Sequence, residues 1–227
     1  MKPRTAIMRR IRNALPEGDV VHAQHQMEET IEEDKQVLVA EFSKELESLK
    51  GTMLQAPNSY VAELVAGLLR EREANQLMAW DPDWIPVPGL LNTLEQQGHL
   101  CISPQLPRVI NGRRSRLQEL GQAQVGITGA GAAISEIGTL VLPGGAGRSR
   151  LASVLPPIHI AIVTPDQFFR SIAAWMYSQR NNSMFDHSSS LTFVAGPSRT
   201  ADVERIETLG AHGPREVIVI CTDPPEQ

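Results

Sequence analysis

The amino-acid sequence predicts an α/β protein, a mostly parallel sheet flanked by helices, with an N-terminal helical extension. Three observations carry this. From Thr52 onward, short apolar runs alternate with helical patterns, as in a parallel sheet covered by helices on both faces. The run Ile158 to Val163, after Pro156-Pro157, is hydrophobic almost throughout, which suits a strand buried on both sides. Between them, the stretch from Val125 to Val163 is divided by seven glycines into strand, turn, strand, loop and strand.

The 227 residues, 41% hydrophobic and 21% charged, fit one globular domain (residues 51–227) behind an extension (residues 1–50). A net charge of -5 opposes general nucleic-acid binding, which needs a basic surface. Two cysteines, Cys101 and Cys221, are too few for a four-cysteine cluster or zinc site and set up no disulfide framework, so a reducing, cytoplasmic setting is expected. No apolar run is long enough for a membrane span, and no secretory signal is seen.

The elements follow in order. Residues 1 to 15 set Arg4, Arg9, Arg10 and Arg12 among Ile7, Met8, Ile11 and Leu15, a basic amphipathic helix that could dock a partner, lie on a membrane or fold back. Glu29 to Lys50 reads as a helix with Leu38, Phe42 and Leu46 on one stripe, stopped by Gly51. Strands are expected at Thr52–Ala56, Gln76–Trp80 and Leu100–Ile102, with helices over Ser59–Glu73 and Leu90–Gln97 between them. Asp81-Pro82-Asp83-Trp84 follows a strand, where ligand loops of open sheets lie, although Trp84 could equally pack over the sheet edge. A short helix is expected before Gly121, and one from Asp166, as N-cap, through Met176. Leu191 to Ala195 is a strand, Gly196 to Asp202 a turn opening a helix capped by Ser198 or Thr200, and Glu216 to Cys221 the last strand.

Four places could carry chemistry. Glu136 is a lone carboxylate in an apolar run, where strand alternation would set it opposite Ile137; it either serves a site or meets solvent and backbone amides. The loop Gly144-Gly145-Ala146-Gly147-Arg148-Ser149-Arg150 could present amides and guanidiniums to an anion, or be a plain surface connection. Ser198 and Arg199 add donors to the turn at the expected helix start. His212, in Gly210-Ala211-His212-Gly213-Pro214, is either a general base or an exposed turn residue. Three familiar motifs fail: Gly129-Ala130-Gly131 lacks the third glycine of a dinucleotide fingerprint, Gly147-Arg148-Ser149 lacks the P-loop lysine, and Ser135 lacks the glycines of a nucleophile elbow.

The string TGAGAAISEIGTLVL, then GG-x-G-R, then LPPIHIAIV, with the segments Gly196 to Glu204 and Gly210 to Pro214, resembles the LUD-domain family, closely over the second half and in layout over the first. The resemblance implies a fold similar to the NagB/RpiA/CoA-transferase class. It also implies a part in oxidising L-lactate to pyruvate, with iron–sulfur clusters in partner subunits; having neither cluster-ligand cysteines nor a dinucleotide fingerprint, this chain is expected to carry no cofactor itself. On that reading Thr128, Gly129, Thr139, Gly144, Gly145, Gly147, Arg148, Ser198, Arg199 and Asp202 form a binding set for a small organic anion, with Glu136 and His212 beside it. Two alternatives stand: a free-standing enzyme on a carbonyl, thioester or phosphosugar substrate with Glu136 as nucleophile or base, and an assembly protein without chemistry.

Overall fold

The structure is a computed structural model that describes residues 34–107, 110–179, 188–201, 207–209 and 213–224. Its centre is a six-stranded, all-parallel sheet. In chain order the strands are β1 (Thr52–Ala56), β2 (Gln76–Ala79), β3 (Leu100–Ile102), β4 (Val125–Thr128), β7 (Ile158–Val163) and β12 (Glu216–Thr222), and in space they run β1-β12-β7-β4-β2-β3. The helices between them are α1 (Lys35–Ser48), α2 (Asn58–Glu71), α3 (Leu90–Gln96), α4 (Ile110–Leu120) and α5 (Leu151–Val154). The expected α/β architecture is observed, with most strand bounds within a residue or two of the sequence reading.

Chain direction changes at the middle of this sheet. The connection leaving β2 runs outward to β3, whereas the chain leaving β4 runs the other way, to β7 and then β12. The carboxyl ends of β2 and β4 therefore form a switch point, where crevices open in such folds.

A second sheet was not anticipated. β5 (Ala132–Ile134) and β6 (Thr139–Gly144) leave the parallel sheet and pair antiparallel with each other, flanked by β8 (Phe168–Phe169) and β9 (Ser190–Val194) in the order β8-β5-β6-β9. Its outer face packs Ala132, Ile134 and Val141 on Trp175 of α6 (Ile172–Ser178). The helix expected from Asp166 begins only at Ile172, capped by the Ser171 hydroxyl, because Pro165–Gln167 form a 3-10 turn and Phe168 is drawn into β8. Phe168 meets Phe42 of α1 edge to face, with centroids 5.3 Å apart.

The described part of the extension does not stand apart from the domain. Asp34 starts α1 by accepting the Gln36 N–H at 2.9 Å, and Leu38, Val39, Phe42 and Leu46 enter the core shared with β1, β7 and β12. The basic helix expected at residues 1 to 15 lies outside the described residues.

The helix expected after Gly196 is instead a strand, β10 (Arg199–Ala201), paired antiparallel with β11 (Glu207–Leu209). The Ser198 amide donates to the Pro214 carbonyl at 2.8 Å, so the turn is tied to the chain entering β12, and the residues after it pair with Glu207–Leu209 as a strand.

Glycine allows the tightest contact of the fold. A Cβ on Gly126, in β4, would stand 1.7 Å from the Ala152 carbonyl oxygen of α5. Gly126→Ala should therefore lower stability by about 3 kcal/mol in urea unfolding, the upper range for overpacked sites. Gly67→Ala, in the middle of α2 with nothing nearer than 3.9 Å, should raise it by about 0.5–1 kcal/mol.

Candidate functional site

Side chains on one face of the central sheet form the floor of the candidate site. Thr128 at the end of β4 and His159 in β7 are both fully buried and share a 2.9 Å hydrogen bond between Oγ1 and Nε2. Strand register explains the pairing, because His159 lies beside Gly126, and Thr128 is two residues further along the same face. The missing side chain of Gly126 is what lets α5 close over them. Burial pushes the His159 imidazole down to about 4, so it is neutral at physiological pH.

Above this floor, the loop after β6 folds onto the chain after β2. Gly145 and Arg148 exchange two backbone hydrogen bonds, a two-residue turn closed by Ala146 and Gly147, with φ +73° at Gly147. The Asp81 amide donates to the Gly147 carbonyl at 2.9 Å, and the Trp80 indole donates to the Ser149 carbonyl at 3.1 Å. A Cβ at Gly147 would meet the Asp81 carboxylate at 2.7 Å and the Trp84 indole nitrogen at 3.0 Å. Arg148 is consequently delivered onto Trp84, its guanidinium carbon 3.9 Å from the ring centroid. Only 5% of Arg148 is exposed, against 46% of Trp84. Desolvation holds the guanidinium below its ordinary value.

Gly129 belongs to the same construction, since a Cβ there would stand 2.1 Å from the Trp84 carbonyl. Beyond it, the Gln167 amide donates to the Ala130 carbonyl at 2.6 Å, while its oxygen accepts the Thr164 N–H at 2.8 Å. Thr128, Gly129, Gly145, Gly147 and Arg148 thus gather at the switch point, with Gly144 at the end of β6 leading into the turn.

The other expected site residues are elsewhere. Glu136 is not in a strand: it lies in the 3-10 turn Ser135–Ile137 at the tip of the β5–β6 hairpin, exposed beside Ile137, with its amide donating to the Arg170 carbonyl. Gly138, at φ +55°, fits this tip against the Glu45–Leu46 backbone of α1. Thr139 closes the same turn by donating to the Ile137 carbonyl at 3.0 Å. From Thr139 to Gly144 the strand spans about 17 Å, so Glu136 and Arg148 are held at opposite ends of β6 and cannot act on one small molecule. Ser198, beside Pro214, sits before the amino end of β12, again opposite to Arg148. The side chain of Arg199, and Asp202 and His212 entirely, lie outside the described residues.

Two pairings in this site are not visible in the sequence. His159 interrupts an apolar strand and was absorbed into its hydrophobic pattern; its neighbour Thr128 is 31 residues away, and only the parallel register joins them. Trp84 stands in a segment readable either as a ligand loop or as packing over the sheet edge, and nothing in the spacing pairs it with Arg148.

Among known proteins, a family model described as LUD domain matches residues 39–222. Lactate utilization protein C of Halalkalibacterium halodurans is 27% identical over 206 residues, covering 87% of this chain and 84% of that protein. Lactate utilization protein C of Deinococcus radiodurans is 35% identical over 103 residues, 45% of this chain, and the chain spans about half the length of that relative, 48%. A crystal structure of a DUF162 family protein from Deinococcus radiodurans superposes with a TM-score of 0.59 at 21% identity, covering 84% of this chain and 99% of that one, a likeness of fold.

Buried neutral His159 makes acid stability a test of the site. Its folded value, about 4, lies below the ordinary 6.5. Between those values the unfolded chain binds the extra proton, so the contribution is complete above pH 6.5 and is lost as pH falls towards 4. A shift of that size corresponds to about 3 kcal/mol. Urea unfolding from pH 7.5 to 4 should show this acid limb in the native chain and lose that part of it in His159→Gln.

Proposed function

The chain belongs to the LUD domain family, and from that premise we propose that it serves lactate utilization, as a cytoplasmic subunit of an assembly that oxidises L-lactate to pyruvate. The naming of its relatives supports the metabolic role. The observation that carries the placement of a ligand is the partly desolvated Arg148 guanidinium against Trp84 at the switch point, a positive charge in a crevice suited to a small carboxylate. Thr128 and His159 form a neutral floor beneath it, with the Asp81 carboxylate beside the Gly147 turn.

Electron transfer is assigned to iron–sulfur partners. Cys101 on β3 and Cys221 on β12 are four strands apart, about 19 Å at the usual strand spacing, so they cannot ligate one cluster. Burial, first, and nearby carboxylates push their thiols up to about 12 and about 11, away from the thiolate form that binds metal.

The test is a native pull-down of the tagged chain with lactate-dependent dye reduction and iron analysis on the eluate. Arg148→Ala should retain the iron-bearing partners and lose at least about ten-fold in activity at low lactate, with Arg148→Lys in between because a point charge replaces a planar, stacked one. Melting of each variant separates this from loss of fold. Unchanged lactate dependence in a folded Arg148→Ala removes Arg148 from the site, and an eluate without iron or activity removes the assembly.

A further inference from the structure

A cleft of about 630 Å³ opens at the carboxyl ends of β1 and β12, walled by α1 on one side and by Pro57 and Pro165 on the other. It lies on a different part of the carboxyl edge from Arg148, which is not among its lining residues. Its volume is that of a cofactor-sized ligand, and a three-carbon acid would leave most of it to water. Apolar surface comes from Val39, Ala40, Ala56 and the two prolines, which suits a flat, weakly polar ring system.

The polar groups are few and specific. Thr222, in the last position of β12, is 1% exposed, yet its hydroxyl has no hydrogen-bond partner among the described residues. A buried hydroxyl in that state is costly unless something else engages it, and this one belongs to the cleft wall. Asp223 follows it. The Asp223 carbonyl accepts from Asn58 at 3.2 Å, which fixes the backbone of a residue that lines the cleft and whose carboxylate charge bears on Cys221 in the cleft wall. The amides of Gln36 and Gln55 supply both donors and acceptors.

Charge then narrows the class. Lys35 is turned to the Phe168 carbonyl at 2.8 Å and to the Phe169 ring, and so is already engaged at one end of the cleft. Asp223 and Asp166 both act on the Cys221 thiol in the cleft wall, so carboxylate charge bears on this space. Lys35 keeps its charge but is held at the Phe168 carbonyl and the Phe169 ring, so a di- or triphosphate in the cleft would stand against the Asp223 carboxylate. A carboxylate just past a parallel strand is instead the group that accepts two hydrogen bonds from a ribose diol.

We propose that this cleft binds a ribonucleoside, with the Asp223 carboxylate on the ribose diol, the Thr222 hydroxyl as a further partner, and the base between the proline and α1 walls. The assignment is independent of the role in lactate utilization.

Isothermal titration of the full chain with adenosine, 2′,3′-dideoxyadenosine, ATP and lactate tests it. Adenosine is expected to bind, dideoxyadenosine at least about ten-fold more weakly, and ATP more weakly than adenosine, with no competition from lactate. Asp223→Asn, which keeps the backbone contact to Asn58, should remove the preference for the diol. Thr222→Val, checked for a native melting curve, should weaken adenosine without changing that preference. Equal binding of adenosine and dideoxyadenosine overturns the proposal, as does failure of adenosine, guanosine, cytidine and uridine all to bind. Adenosine displaced by lactate would also overturn it, by merging the cleft with the Arg148 site.

Discussion

The close approach of the α5 backbone to β4 across Gly126 is the constraint on which the candidate site depends. With any side chain there, the segment from Arg148 to Pro156 would have to lift away from the sheet. Thr128 and His159 would then meet water, and the imidazole would lose the burial that keeps it neutral. The same displacement would carry off the Ser149 carbonyl held by Trp80 and the Gly147 carbonyl held by Asp81. Arg148 reaches Trp84 because those two backbone contacts fix the loop, and the guanidinium adds its stacking to a geometry already set.

Local patterns made the strands of the parallel sheet and most helices readable. Thr52–Ala56, Leu100–Ile102 and Ile158–Val163 are short runs whose apolar content and bordering turns leave little choice. Where tertiary contacts decide, the sequence was silent. Phe168 carries the same apolar signal in a helix or a strand, and the pairing with Ala133 and the contact with Phe42 draw it into β8. Ser198 resembles a helix cap, but Arg199–Ala201 after it pair with Glu207–Leu209, a contact that local sequence does not show. Glu136 sits in an apolar sequence run and yet meets solvent, because Gly138 turns the chain beneath it.

The candidate site was legible in parts and not as a whole. The glycine and arginine loop was visible as a loop, but its reading as an open anion clamp missed the burial of Arg148, which follows from the tightness of the Gly145–Arg148 turn and the proximity of Trp84. Residues grouped by sequence resemblance are separated by the fold: a six-residue strand is enough to set Glu136 and Arg148 at opposite ends. Short strands with long-range register convert neighbours in sequence into strangers in space, and bring together His159 and Thr128, which no spacing rule pairs.

Charged groups at the two ends of the carboxyl edge are held in different ways, and the difference has a structural origin. At the switch point a cation is buried by the loop that delivers it, and the floor beneath is kept neutral by burial of His159. At the outer end, β1 and β12 finish beside Asp223 while Lys35 is drawn off to the Phe168 carbonyl and the Phe169 ring, as the helix is pinned to the second sheet. The second sheet thus does more than widen the molecule. It holds Lys35 at the Phe168 carbonyl and the Phe169 ring, and by ending β6 in the Gly145–Arg148 turn it sets the guanidinium over Trp84.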